Sequence, residues 1–281
     1  MSHDYDYIVI GSGFGGAVSA LRLAEKGYSV AVLEMGKRFE TEDFPKTTWQ
    51  VRKHLWMPKL LCHGFFQMTW LKDVLIFHGA GVGGGSLVYA NTLLVPPAEV
   101  FEDARWPDDD DWREKLAPHY ELAKFMLGAT EAKAIYPADE ALRELVDVDR
   151  GCGDTFRKHT VGVYFGRSGE TVADPFFGGE GPERRGCIEC GACMVGCRYN
   201  AKNTLDKNYL YLAENRGVEI IPETRVIDIR PLAGGGYEIE TEQSTKLFFK
   251  KRRTFCSKGA VVSASVLGSV GLLAKCKERG S

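Results

Sequence analysis

Residues 7–16 read YIVIGSGFGG, and no other stretch limits so tightly what this chain can fold into. The residues "DYIVI" form a short apolar run of the kind that makes a strand buried on both faces. Gly11, Gly13 and Gly16 then give the spacing G-x-G-x-x-G. The first glycine permits a tight turn, the second lets a diphosphate approach the backbone, and the third lets the next helix lie against the strand. In "AVSALRLAEKG" the apolar positions Ala17, Val18, Ala20, Leu21, Leu23 and Ala24 suit a helix packed closely on a sheet, and Gly27 ends it. "YSVAVLE" reads as a second buried strand closing at Glu34. The first amides of such a helix and its positive dipole end suit an anionic ligand. Glu34 stands where a carboxylate takes the hydroxyls of a ribose, and a carboxylate there repels a 2′-phosphate. The competing reading of the same residues is a flavodoxin-like or purely structural glycine turn.

A plain NAD-binding chain would continue to alternate strands and helices. Residues 37–70 do not; they are mixed and rich in Trp, Phe and His. "LIFHGAGVGGGSLVYANTLL" then brings a second glycine-rich loop, Gly79 to Ser86. Residues 96 to about 200 change character, with Pro, Gly and acidic loops around one amphipathic helix, "WREKLAPHYELAKFMLGA", capped by Asp111. From Gly217 the strand pattern returns: "VEIIP", "RVIDIRPL", "GYEIETE" and "KLFFKKRRTF" read as a strand and a small antiparallel meander. "KGAVVSAS" reads as one more buried strand, and "VLGSVGLLAKCKERG" as a closing helix. Two glycine loops with a later meander favour FAD, because a long extended ligand needs a second anchor near its flavin end. The fold expected is α/β: a Rossmann-like FAD-binding domain with a β-meander and an inserted α+β cap or substrate region. Its first part is residues 1–95, the insertion 96–205, and the second part 206–281.

The formal net charge is −2, which gives no global reason to expect a nucleic-acid partner. The basic run Lys250–Arg253 is flanked by aromatics and reads as a solvated hairpin end; Asp108–Asp111 reads as a solvated loop. No stretch of about 18 apolar residues exists, and the N-terminus has no basic leader region. A reducing cytoplasm is the compartment expected from the way the cysteines are grouped.

Four of the eight cysteines, Cys187, Cys190, Cys193 and Cys197, lie in "RGCIECGACMVGC" as C-x2-C-x2-C-x3-C. That is the ligand spacing of an iron–sulfur cluster. In two-cluster ferredoxins the fourth cysteine serves the other cluster, so the fourth ligand here is either Cys197 or a residue elsewhere such as Cys152. Residue 198 is Arg where a ferredoxin has Pro. A structural zinc ion, a degenerate site and free buried thiols are the alternatives. Cys62, Cys256 and Cys276 read as ordinary core thiols. The aromatics of "LCHGFFQMTW", "VGVYFG" and "DPFFGG" read either as core or as the lining of an apolar cavity.

Taken in order, "IGSGFGGAVSALRLAEKGYSVAVLEMG", "GAGVGGGSLVYAN", "CIECGACMVGCRYNAKNTLDKNYL" and "GAVVSASVLGSVGLLA" resemble the glucose–methanol–choline oxidoreductase family, with its cholesterol oxidase-like members nearest. The resemblance implies FAD and oxidation of an alcohol, a sterol such as cholesterol, to a carbonyl by hydride transfer to the flavin. It implies that Gly11, Ser12, Gly13 and Gly16 hold the diphosphate, that Glu34 binds the adenosine ribose, and that Gly84, Gly85 and Ser86 run along the diphosphate and flavin. Val226 would meet the adenine through its backbone, and Asn91 would lie near the flavin. Val88 stands where some members carry a flavin-linking His, so non-covalent FAD is implied. The family's active-site His lies beyond the "VLGSVGLL" helix, so no catalytic residue is assigned, and the chain resembles the N-terminal half of a longer enzyme. Some members pair FAD with an iron–sulfur cluster, which implies an external electron acceptor in place of O2. The rivals are a non-catalytic flavin-binding fragment and an iron–sulfur electron-transfer module.

Overall fold

The computed structural model describes residues 3–47, 49–103, 105–107, 111–151 and 155–279. The expected opening unit is there: β1 (Tyr5–Ile10), α1 (Phe14–Glu25) and β2 (Val30–Leu33). A hairpin follows, β3 (Phe66–Trp70) and β4 (Leu75–Gly79), then α2 (Trp112–Met126), α3 (Pro137–Arg150) and the short β5 (Thr160–Gly162). The chain returns to its first layer with α4 (Tyr209–Asn215), β6 (Glu219–Ile221), β7 (Thr224–Pro231), β8 (Tyr237–Gln243), β9 (Arg252–Val262) and α5 (Ser265–Arg279). The main sheet has six strands in the order β6-β2-β1-β9-β8-β7.

The parallel half is β6, β2, β1 and the end of β9; the antiparallel half is the meander β7–β8–β9. The two runs "KLFFKKRRTF" and "KGAVVSAS", expected as two strands, merge into the single strand β9. Its first residues pair antiparallel with β8 and its last, from Ser257 to Val262, pair parallel with β1. Residues 245–251 form the turn before it. At the strand's entrance the basic run is neutralised locally: Lys250 pairs with Glu242 and Arg252 with Glu240.

Two apolar layers cover the two faces of the sheet. On one, Val9, Val30 and Val32 pack against Ala17, Ala20 and Leu21 of α1 and Tyr209, Leu210 and Ala213 of α4. On the other, Ile8, Ile10 and Leu33 meet Ile229, Ile239, Phe255 and, from α5, Leu272 and Cys276. Alternate residues of β1 thus serve opposite layers, as the period of a strand requires. Gly16 sets the spacing of the first layer: a Cβ on it would stand 1.9 Å from the carbonyl oxygen of Gly11. The inserted helix α2 is capped by Asp111, whose Oδ1 accepts from the Glu114 amide at 3.0 Å. Among the described residues no helix is long and apolar enough to cross a membrane.

Candidate functional site

A cavity of about 390 Å3 opens at the carboxyl ends of β1, β2 and β9. Helix α1 leaves β1 toward one layer and α5 leaves β9 toward the other, so the crevice lies where the connections diverge. Open α/β sheets bind their ligands at such a point. Gly11, Ser12, Gly13, Glu34, Gly84, Gly85 and Val226 all line it. Gly11 holds φ of +97° to make the turn, and a Cβ on Gly13 would point into open space. The first amides of α1 carry no side-chain cap. A Cβ on Gly84 would stand 2.8 Å from the Cα of Gly13, so the two glycine loops touch backbone to backbone.

Ser12 joins these loops. It is fully buried, its Oγ lies 2.6 Å from Oε2 of Glu34 as donor, and it accepts from the Gly83 amide at 3.1 Å. The other Glu34 oxygen accepts from the Gly36 amide at 2.8 Å. An ionised carboxylate has about four acceptor positions, so these bonds orient Glu34 and leave capacity for a ligand's hydroxyls. Val226 lies where the β7–β8 register shifts between Val226 and Asp228, which puts a bulge on the cavity wall. Gln67, Thr69 and His78 also line the cavity; Thr69 Oγ1 and His78 Nε2 are 2.8 Å apart, and burial holds the imidazole below its ordinary pKa. Gln67 Oε1 is buried without a partner. Glycine backbone on two sides, an oriented carboxylate and a free acceptor fit the diphosphate, ribose and ring system of an FAD.

Three residues expected at the cofactor stand elsewhere. Gly16 packs α1 on β1, as its place in the motif requires. Ser86 is wholly buried behind the second loop; its Oγ donates to Gly83 O at 2.7 Å and accepts from the Leu205 amide at 3.0 Å. Asn91, at φ of +66°, lines a second cavity.

That second cavity, of about 260 Å3, lies between the end of the second glycine loop and the cysteine run. Cys187, Cys190, Cys193 and Cys197 all line it, with Val161, Val163 and Phe165 as apolar wall. The four thiols surround the space and do not meet at a point: among the described residues no three His, Cys, Asp or Glu side chains are grouped to share one metal ion. A four-thiolate zinc site is therefore not the arrangement found. Cys152 lies outside the described residues. Burial pushes the Cys187 and Cys193 thiols up from their ordinary range.

Two buried cations hold this region, and sequence reading passed over both. Lys202 is 2% exposed, and its Nζ donates to the carbonyls of Leu87, Tyr89 and Cys193 at 2.8–3.0 Å. Burial brings its pKa down to about 8, against the opposing pull of Cys193 and Cys197. Arg184, 1% exposed, donates to the carbonyls of Asn200 and Lys202 and to Asn203 Oδ1. Burial brings its pKa down to about 10. The aromatic stretches divide: Phe65 is wholly buried with Phe39, Leu87 and Val88 in a separate small core, Phe176 packs against Arg184, and Phe165 lines the cysteine cavity.

Strand order, the touching glycine loops and the oriented acid define the class: an α/β protein built around a dinucleotide site of the flavin type. Residues 6–48 match the family model of an FAD binding domain, and residues 182–276 match that of GMC oxidoreductases. The chain belongs to the GMC oxidoreductase family. It is 47% identical over 289 residues to a cholesterol oxidase of Acinetobacter baumannii, covering 100% of this chain and 52% of that protein. With a cholesterol oxidase of Mycobacterium tuberculosis it shares 49% over 285 residues, covering 100% of this chain and 49% of that one. The chain thus spans about half the length of these curated relatives. Pyridoxine 4-oxidase from Mesorbium loti superposes with a TM-score of 0.59 at 16% identity, covering 96% of this chain and 51% of that one, a likeness of fold.

Proposed function

We propose that the chain binds FAD without a covalent link and serves the oxidation of an alcohol to a carbonyl, with a sterol as substrate. The single observation that carries this is the cavity at the ends of β1, β2 and β9, where two glycine loops and Glu34 face one space. Bound FAD supplies the acceptor for the hydride that leaves the alcohol carbon. The Gly13 amide and the amides at the start of α1 bind the diphosphate, while the Gly11 and Ser12 amides donate to Leu33 O and Glu34 Oε2 and shape the turn that presents them. Glu34, oriented by Ser12 and Gly36, accepts from the ribose hydroxyls and disfavours a 2′-phosphate. The backbone at Val226 meets the adenine, and Gly84 and Gly85 run along the diphosphate toward the flavin. Ser86 acts from behind by holding the second loop on residue 205. No catalytic side chain is assigned: His78 is on the cavity but is tied to Thr69.

The sterol rests on the two cholesterol oxidases above, and the electrons pass to O2 or an external acceptor. The division at 95/96 and 205/206 into two parts of an FAD domain and an insertion is part of the same reading, as is a cytoplasmic location. The test is an anaerobic titration of the chain with FAD, followed by cholesterol. Saturable uptake with flavin absorbance, then bleaching on adding the sterol, is expected. A folded chain that takes up no FAD overturns the cofactor, and bound flavin that no sterol bleaches overturns the substrate.

A further inference from the structure

The turn that joins β8 to β9 is not used by the flavin reading, and its residues are not those of an ordinary turn. Turns favour Gly, Asn, Asp, Ser and Pro. This one reads Lys246–Leu247–Phe248–Phe249–Lys250–Lys251, and every residue from 246 to 254 is exposed. Phe248 is 78% exposed and Phe249 fully so. Phe249 also stands at φ of +51°, in the left-handed region that a bulky residue enters only at a cost. Neither ring belongs to the apolar layers of the fold. Two adjacent phenylalanines held off the protein in a strained turn contribute nothing to its core.

Their surroundings are basic. Lys246, Lys250, Lys251, Arg252 and Arg253 crowd the same turn. Lys250 and Arg252 pair with Glu242 and Glu240 on β8, at a surface where such pairs contribute little. Arg253 lies over the Phe255 ring at 4.9 Å. Lys246, Lys251 and Arg253 have no acidic partner among the described residues. Glu223, at the foot of the turn, accepts from the Thr245 hydroxyl at 2.7 Å. A second tip stands beside the first. The main chain at Thr245 lies against His63, which belongs to the short hairpin pairing residues 56–57 with 62–63. The turn of that hairpin exposes Leu60 and Leu61 and adds the exposed Lys59; Leu61 is again left-handed, at φ of +56°.

Apolar side chains standing out from a basic rim match the boundary of an anionic bilayer. The rings and leucines enter between headgroups and acyl chains, and the cations meet the phosphates. The leucines favour lipid over single-stranded nucleic acid, which would use the aromatic rings and the cations alone. We propose that the β8–β9 turn, with residues 58–61 beside it, docks the chain on the surface of an anionic lipid bilayer. The contact requires neither FAD nor a particular alcohol, so it stands apart from the function proposed above.

The test is flotation of the full chain with sterol-free vesicles of phosphatidylglycerol and phosphatidylcholine, against vesicles of phosphatidylcholine alone. Binding to the anionic vesicles, weakened by added salt, is expected. Phe248→Ser/Phe249→Ser should bind at least about tenfold more weakly, since both rings leave water on docking. Lys246→Gln/Lys251→Gln should lose about fivefold for each charge removed. Phe249→Trp should keep the binding, because an indole suits the same boundary. Leu145→Ser, at an exposed site on α3, should leave it unchanged. Circular dichroism checks that each variant is folded. Binding that survives the loss of both rings overturns the proposal, and so does equal binding to the two kinds of vesicle. A folded parent that floats with neither overturns it too, whether it captures a single-stranded oligonucleotide instead or forms dimers that the double variant loses. FAD titration of the same samples reads the flavin proposal separately.

Discussion

The two cavities are built in opposite ways. The glycine-loop cavity is made of backbone: two loops in contact at Gly13 and Gly84, a helix seated on Gly16, and one serine tying them to an acid. The cysteine cavity is held by side-chain cations reaching across the fold to carbonyls of other segments, with Lys202 and Leu87 separated by 115 positions. The first has no room for an added atom at Gly16 or Gly84, and the second tolerates no lost charge. Substitutions should therefore fail for opposite reasons in the two places.

The largest effect is expected where atoms are added. Gly16→Val places a Cβ 1.9 Å from Gly11 O and 3.2 Å from Val9 Cγ1, both fixed by the sheet. A cost of about 3 kcal/mol or more is expected, with loss of FAD uptake. Thermal unfolding and FAD titration of the same sample check it; a variant as stable as the parent would refute the close packing. Next is Arg184→Met, which removes the donors to two carbonyls and one amide oxygen and should cost about 3 kcal/mol. It should leave FAD affinity nearly unchanged, and a collapse of flavin binding would show that the two cavities are not separable. Ser12→Ala touches the seam between the glycine loops and should cost about 1 kcal/mol and weaken FAD about fivefold; isothermal titration measures it.

The smallest effect is a control that touches neither cavity. Asp6 pairs with Lys258 at 2.6 Å and its carboxylate accepts from the Ser29 amide and hydroxyl, which hold its pKa down to about 2. The folded value lies below the ordinary 3.8, so the stabilisation is present above that pH and is lost as pH falls toward 2. Asp6→Asn should lower the melting temperature slightly at neutral pH and not at all near pH 2. A uniform drop at every pH would remove the carboxylate as its source.

The opening strand–turn–helix–strand unit was legible because its contacts are local: the turn, the helix and Glu34 lie within residues 5–34. β9 was split in two by its own pattern. The polar Ser257–Lys258–Gly259 stretch interrupts its apolar residues, yet the pairing runs through it from β8 to β1. Arg184 and Lys202 were illegible for a different reason. Apart from Asn203 Oδ1 on Arg184, their partners are main-chain carbonyls, which every residue possesses, so almost nothing in the sequence marks them. Asn91 was placed near the flavin by the family resemblance alone; in the structure it lines the cysteine cavity.

The central place of β9 has a consequence for assembly. It lies between β1 and β8, yet it is synthesised long after β1, with which it pairs starting at Ser257 opposite Tyr5. Until residues 252–262 emerge, that edge of β1 presents a row of unpaired amides and carbonyls, which is an invitation to pair with a stranger. Nascent or clipped chains that stop short of this latecomer should stick to one another, and yield of the intact protein will depend on how fast that gap is filled.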